Sequence, residues 1–318
     1  MTEISDQFET LILNLHDIGC QNRCIFCRRY SRSLNRKRAD RIAREQIAKL
    51  KNFKGNQKAG LLIISGNDPL EYYDFVNFLK EIKKRTAVSV FLQSNCLDLA
   101  NKVYLEKILD VGNIGKIQIP IYGHNAKIHD SITGNKGSFS LILKAIKNLE
   151  KIGFRDLLLH SLFLKQNEKH LLQFFNFLLK FGYPADASLV SLPSYRGRYS
   201  KKVLGNAPDL SLVRDLFKNK ISRILNKNNL FLHDIPFCLA PGIKNISFRN
   251  DSSCGGYDHF AERKIDKVFI NNQIWAAYRS LSKPHICRQC LLFDACRGIA
   301  LPYLELKLFK PLPYKKEN

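Results

Sequence analysis

No apolar stretch of this chain reaches the ~18 residues needed to cross a bilayer. The apolar run around Phe174–Leu179 stops at Lys180. The opening residues, MTEISDQFET, lack the basic start and apolar centre of a secretory signal. The expectation is a soluble, cytoplasmic protein with no membrane partner. Acidic residues are also scarce: 28 against 51 basic ones, a net charge of +23. That excess speaks for an acidic or polyanionic partner and says nothing about the fold. It is densest from Arg28 to Lys49, with nine basic residues and two acidic ones. Such a run is either a docking surface for nucleic acid, an acidic peptide or a phosphorylated substrate, or an ordinary solvated helix face.

What is present suits a globular enzyme. Hydrophobic residues make up 45% of 318, enough to build a core. That length suggests one large domain with a smaller one attached. Nine cysteines in a cytoplasmic chain are poor candidates for structural disulfides. Cys20, Cys24 and Cys27 are spaced C-x3-C-x2-C. Three thiolates at that spacing can wrap one face of a cubane iron–sulfur cluster and leave one iron open to a small molecule. A zinc site would want a fourth ligand, and none follows nearby. Near the other end, Cys287, Cys290 and Cys296 are spaced C-x2-C-x5-C, with Cys238 and Cys254 upstream. Spacing alone leaves these five divided between a second cluster and a zinc ribbon. Cys96 stands alone, either a small buried hydrophobe or a hydrogen-atom donor to a substrate radical.

Between the two cysteine groups, apolar runs alternate with helical patterns. Strands are predicted at Leu11–Leu15, Gly60–Ser65, Ala87–Gln93, Lys116–Ile121, Asp156–Leu164 and Ala187–Leu192. Helices are predicted at Arg41–Leu50, Tyr72–Lys84, Lys102–Leu109, Ser138–Lys151, Glu168–Phe181 and Leu210–Asn226. Six β-α units imply a parallel sheet with helices outside it. They are too few to close an eight-stranded barrel, so the expected fold is α/β, a partial (β/α)6 TIM-like barrel. After Asn226 the rhythm stops and the cysteines appear. A boundary near Asn228–Phe231 would divide a core, residues 1–228, from a small cysteine-rich C-terminal domain, residues 229–318. In such barrels the active site forms at the C-terminal ends of the strands. Cys20–Cys27, Gly66–Pro69, Ser94–Cys96 and Tyr122–His124 all follow predicted strands.

The C-x3-C-x2-C motif, with Phe26 before its last cysteine and a β-α series after it, resembles the radical S-adenosylmethionine (SAM) superfamily. Ser65-Gly66-Asn67-Asp68-Pro69 resembles that family's G-G-E-P loop, with Asn67 and the shorter Asp68 replacing the second glycine and the glutamate. The segment His129–Phe139 resembles one seen before the fourth helix in many members, and Gln166-Asn167-Glu168 resembles a SAM-contacting turn. The cysteine-rich end resembles a SPASM or twitch domain, although Ala300 stands where the full pattern continues with cysteine.

The resemblance implies a [4Fe–4S] cluster on Cys20, Cys24 and Cys27. It implies SAM held by Phe26, Gly66, Asn67, Asp68, Ser94, Asn95 and Asn167. It also tips Cys238, Cys254, Cys287, Cys290 and Cys296 towards one auxiliary [4Fe–4S] cluster. The implied chemistry is reductive cleavage of SAM to a 5′-deoxyadenosyl radical, which takes a hydrogen atom from a substrate. A reductant such as flavodoxin or ferredoxin is implied as a partner. The substrate expected is a ribosomally made peptide, although no leader-binding domain is seen before the first strand. A nucleic acid or nucleotide-like metabolite is the alternative the charge suggests, and a non-catalytic iron–sulfur protein is a third. Tyr122, His124, His129, Asp130 and Cys96 are the candidate catalytic residues. Tyr195, Arg196 and Arg198 are candidates for holding an anionic or peptide substrate.

Overall fold

The structure is a computed structural model. It describes residues 9–16, 18–27, 35–56, 60–192, 199–225, 230–244, 246–247, 269–270, 273–274 and 281–315. Cys254, Tyr195, Arg196 and Arg198 lie outside the described residues, as does the first part of the basic run, 28–34. The chain forms two compact units, residues 1–121 with 125–160, and residues 122–124 with 161–318.

In the first unit, β1 (Glu9–Leu15), β2 (Gly60–Gly66), β3 (Val90–Gln93), β4 (Ile114–Pro120) and the start of β5 (Leu157–Phe163) lie in chain order. Every neighbouring pair is parallel. Parallel neighbours need crossover connections, and α1 (Arg36–Lys49), α2 (Phe75–Lys83), α3 (Lys102–Leu109), α4 (Ala126–Thr133) and α5 (Ser138–Ile152) supply them. The strands read as apolar because their core positions are fully covered: Leu13, Leu62, Ile64, Leu92, Ile117 and Ile119 are all at 0% exposure.

The second unit contains the end of β5, α6 (Leu171–Leu179), β6 (Ala185–Leu189), α7 (Lys201–Leu204), α8 (Leu210–Leu216) and α9 (Ser222–Leu225). Then come β7 (Leu230–His233) and β8 (Ile246–Ser247), parallel to β6 and to each other. The short pairs β9 (Phe269–Ile270) with β10 (Gln273–Ile274) and β11 (Leu281–Ser282) with β12 (Ile299–Ala300) are antiparallel. Helix α10 (Leu301–Glu305) follows, its buried Tyr303 donating to the carbonyl of Val190 at 2.7 Å.

This is the α/β partial-barrel class expected, with a cysteine-rich C-terminal region. The sequence reading stops two strands short, because β7 falls where it places the domain boundary and β8 lies beyond it. Its alternate residues Leu230 and Leu232 are buried against the core in register with Ala185 and Ala187 of β6. Helix α1 starts at Arg36, earlier than expected, because the Asn35 side chain accepts from the amide of Arg38 and caps it. Helix α4 lies where the sequence predicts no helix. Asn125 caps it in the same way, and Ile128 and Ile132 bury one face. Among the described residues, no helix is long and apolar enough to cross a membrane.

Candidate functional site

Strand β1 delivers the chain into the loop that carries Cys20, Cys24 and Cys27. Gly19, just before it, comes so close to Glu71 that a Cβ there would lie 2.8 Å from its carboxylate. The same carboxylate accepts from the amide of Gln21. Across the loop, Arg23 and Ile25 donate their backbone N–H groups to the carbonyls of Thr133 and Ile132, at 2.7 and 2.9 Å. These carbonyls are orphan acceptors at the end of α4. Asn135 donates to Asn22 at 3.0 Å. Gly134 turns the chain between these contacts with φ 63°, and a Cβ on it would sit 2.7 Å from the carbonyl oxygen of Arg23. The segment His129–Phe139 thus clamps the cysteine loop. Thr133, Gly134 and Asn135 carry the clamp, and sequence reasoning did not single them out.

The three thiols are half-buried free cysteines. Burial is the largest force on Cys24, followed by the proximity of Cys27 and Cys20, and all three raise its pKa. Burial also raises Cys20, to about 12, with Asp68 and Glu71 adding to the shift. Asn95 donates to the Cys20 sulfur at 3.7 Å. Thiols so raised ionise when a cation takes the place of the proton.

Among the described residues, no three His, Cys, Asp or Glu side chains converge on a single ion. The thiolates of a cubane bind different irons and need not share a point.

The loop after β2 meets this site. Gly66 has φ 147°, and a Cβ there would lie 2.2 Å from the Leu15 carbonyl oxygen, so only glycine lets β1 and the loop approach so closely. The amide of Asn67 donates to that carbonyl at 3.2 Å. Asp68 is at 0% exposure. Its Oδ1 accepts from Ser94 Oγ at 2.5 Å and from the Leu70 amide at 3.3 Å. Its Oδ2 is buried with no hydrogen-bond partner. Burial raises the carboxyl to about pH 7, against the lowering effect of the Ser94 hydrogen bond. A buried, half-satisfied carboxylate beside an electronegative thiol cluster calls for a cation. The ammonium of a bound amino acid answers that description, and the three thiols suit a cubane cluster, so the residues fit the implied groups.

The remaining candidates of this unit are held by the fold. Cys96 is buried, with φ 62°, and its sulfur lies 3.4 Å from the carbonyls of Ser94 and Gln118. Asn95 caps the turn that follows it through the Leu97 amide at 2.9 Å. His129 is at 0% exposure and stacks at a tilt on Phe139, and burial lowers it to about pH 4. Asp130 accepts from Gly137 N, Ser138 Oγ and Phe139 N, tying down the start of α5. Phe26 is half-buried.

In the second unit, Asn167 spends its amide on the backbone. It donates to the carbonyls of Tyr122 and Leu162 and accepts from Leu164 N, at 3.0, 2.8 and 2.9 Å. The His124 ring lies 5.6 Å from that of His170. Burial is the larger and His170 the smaller of two effects lowering its pKa. Cys238, Cys287, Cys290 and Cys296 line one cavity of ≈ 30 Å³ together with apolar side chains such as Phe237, Leu292 and Phe309. All four are free thiols. Burial raises Cys287, and its neighbours Cys238, Cys296 and Cys290 add to the shift. The amides of Gly298 and Tyr314 donate to Cys296 and Cys290 sulfurs at 3.4 Å.

Known proteins share the family pattern and the fold. Residues 16–178 match the model of the radical SAM superfamily. Mycofactocin maturase MftC of Mycolicibacterium smegmatis is 25% identical over 278 residues, covering 79% of this chain and 67% of that protein. Two solved structures of anSMEcpe share the fold. One, with AdoMet and the Cp18Cys peptide bound, gives a TM-score of 0.51 at 16% identity over 70% of this chain. The other, with AdoMet and Kp18Cys peptide, gives 0.53 at 15% identity over 70%. The chain spans 62% and 63% of their lengths. With half its length matching the family model and its cysteine loop, glycine turn and buried aspartate in place, the chain belongs to the radical SAM superfamily.

Proposed function

We propose that this chain is an enzyme that removes a hydrogen atom from a peptide substrate. The observation that carries the reading is Asp68, whose buried Oδ2 lacks a partner within reach of the Cys20 thiol. In this reading Cys20, Cys24 and Cys27 hold a [4Fe–4S] cluster through three of its irons. Asp68 takes the ammonium of SAM, and Ser94 fixes the carboxylate through Oδ1. Gly66 and Asn67 hold the methionine end, with Phe26 against the adenine. The cluster and SAM together supply a 5′-deoxyadenosyl radical. Cys238, Cys287, Cys290 and Cys296 hold an auxiliary [4Fe–4S] cluster inside an apolar shell that excludes water. A peptide substrate is supported by the relative at 25% identity, a maturase, and by a fold that in anSMEcpe holds AdoMet and a peptide together.

The test is anaerobic reconstitution, followed by counting iron and sulfide and assaying 5′-deoxyadenosine with dithionite. The comparison protein carries Cys20→Ala, Cys24→Ala and Cys27→Ala. About eight irons with nucleoside formed, against about four irons and no nucleoside in the variant, is the expected result. No nucleoside from a fully loaded protein would sink the enzymatic reading. Capture of RNA rather than peptide from nuclease-split extracts would move the substrate to nucleic acid.

A further inference from the structure

The segment Phe309-Lys310-Pro311-Leu312-Pro313-Tyr314 follows α10 and is neither helix nor strand. Prolines at alternate positions fix φ and carry no N–H, and each holds the residue before it extended. The segment is therefore a stiff strap. From 311 to 314 its backbone N–H groups are those of Leu312 and Tyr314 alone.

Both meet sulfur. Tyr314 donates to the Cys290 sulfur at 3.4 Å. Burial raises the Cys238 thiol, and a hydrogen bond from the Leu312 backbone works against it. Pro311, Leu312 and Pro313 line the cavity that the four cysteines share. Leu312 is also 49% exposed, so the strap is the layer between that cavity and solvent.

Further contacts pin the strap to the backbone around the cysteines. Leu291, next to Cys290, donates its amide to the Tyr314 carbonyl at 2.9 Å. The Tyr314 hydroxyl donates to the carbonyl of Phe237, next to Cys238, at 3.4 Å. Arg214 of α8 donates through Nε to the Cys238 carbonyl at 3.0 Å and through Nη2 to the Lys310 carbonyl at 2.9 Å. Its guanidinium lies over the Phe309 ring at 5.5 Å. One side chain thus ties a cysteine to the strap and brings a permanent positive charge with it.

We propose that the strap Lys310–Tyr314, pinned by Arg214, is the outer wall of the auxiliary cluster and sets its potential. The inference rests on the reading of Cys238, Cys287, Cys290 and Cys296 as the ligands of that cluster. A reduced cluster carries one more negative charge than an oxidised one. Amide protons on its sulfurs and a cation beside it both favour that charge, so both raise the potential. The same strap stands in the way of water and slows the loss of iron.

The experiment uses the full reconstituted chain. Leu312→Pro with Tyr314→Pro removes both protons and puts a ring where each one stood. Leu312→Ala with Tyr314→Ala keeps both protons and is the control. A ferrous chelator follows iron release, and an EPR-monitored titration gives the midpoint potential of each cluster. In the proline pair the auxiliary cluster should lose iron about ten-fold faster, with the first cluster unchanged. The alanine pair should stay near wild type. Arg214→Gln should lower the auxiliary midpoint and Arg214→Lys should restore most of it, a pattern that lost packing alone does not produce. Equal iron release in the two pairs overturns the proposal, and so does an auxiliary midpoint indifferent to Arg214→Gln. If Cys287→Ser with Cys290→Ser keeps all the iron of the wild type, the cluster reading fails instead. In that case alkylation of the iron-free chain, mapped by mass spectrometry, decides whether the strap covers these thiols. Cys238 and Cys290 should react faster in the proline pair than in the alanine pair, and equal rates overturn the strap.

Discussion

Replacing Gly134 by Ala tests whether α4 holds the cysteine loop. The glycine has φ 63°, a conformation that costs an L-residue about 1–2 kcal/mol. Its Cβ would also meet the carbonyl oxygen of Arg23 at 2.7 Å, its carbon at 3.2 Å and its Cβ at 3.3 Å. All but one of these are backbone atoms, so relief requires the loop to move, at a typical overpacking cost of about 1–3 kcal/mol. The sum is about 2–5 kcal/mol, and it falls where Arg23 and Ile25 donate to α4. Gly137 supplies the control. Its φ is 93°, but nothing lies within 4 Å of an added Cβ, so Gly137→Ala carries the dihedral cost without the collision. The assay is thermal unfolding of the iron-free chain together with iron bound after reconstitution. Gly134→Ala should unfold at a clearly lower temperature than Gly137→Ala and retain less iron on the first cluster. Equal unfolding temperatures and equal iron in the two variants would refute the clamp.

Other expectations follow from single contacts. Asp68 and His129 oppose each other in the pH dependence of the iron-free chain. Asp68 is raised from 3.8 to about 7, so the folded state binds the extra proton and this group's contribution to stability falls as pH rises through that window. His129 is lowered from 6.5 to about 4, so the unfolded state binds the extra proton and its contribution rises with pH. Denaturant titrations from pH 4 to 7 should therefore steepen upward with pH in Asp68→Asn and downward in His129→Gln; parallel curves would contradict both assignments. Asp68→Asn should also weaken SAM binding, read by equilibrium dialysis on the reconstituted protein. Tyr303→Phe removes the 2.7 Å bond to the Val190 carbonyl and should cost about 1–3 kcal/mol in denaturant unfolding, because that acceptor is left buried. Cys287→Ser with Cys290→Ser should remove about four irons and leave dithionite-driven nucleoside formation from the first cluster; retention of all the iron would exclude these thiols as ligands.

The sequence displays much of the fold because its strands are apolar runs between turn-forming residues. Leu61–Ile64 and Ile117–Ile119 could hardly be anything else, and the burial of Leu62, Ile63, Ile64, Ile117 and Ile119 bears this out. β7 was hidden by its length: Leu230–His233 is four residues, preceded by polar Asn226–Asn229. α4 was hidden by composition, since its eight residues include Lys127, His129 and Asp130 and only two isoleucines mark the buried face. The cysteine loop is local in sequence and was legible for that reason. The clamp on it was not, because Asn135 and Asn22 meet 113 residues apart and no periodicity announces such a pair. Asp68 could be read as a carboxylate in the right loop. That Ser94 would occupy one of its oxygens and leave the other bare depends on β2 and β3 lying side by side.

At Arg23 and Ile25 the cysteine loop is gripped through backbone amides. Backbone donors are common to every residue but one, so these two positions are open to almost any chemistry so long as proline is kept out. If the loop holds the proposed cluster, a protein gripped in this way can alter the charge and bulk around it, and with them its redox potential, without disturbing the scaffold. A library randomised at 23 and 25 should yield many variants that still take up iron, spread over a range of redox potentials, with proline the consistent loss.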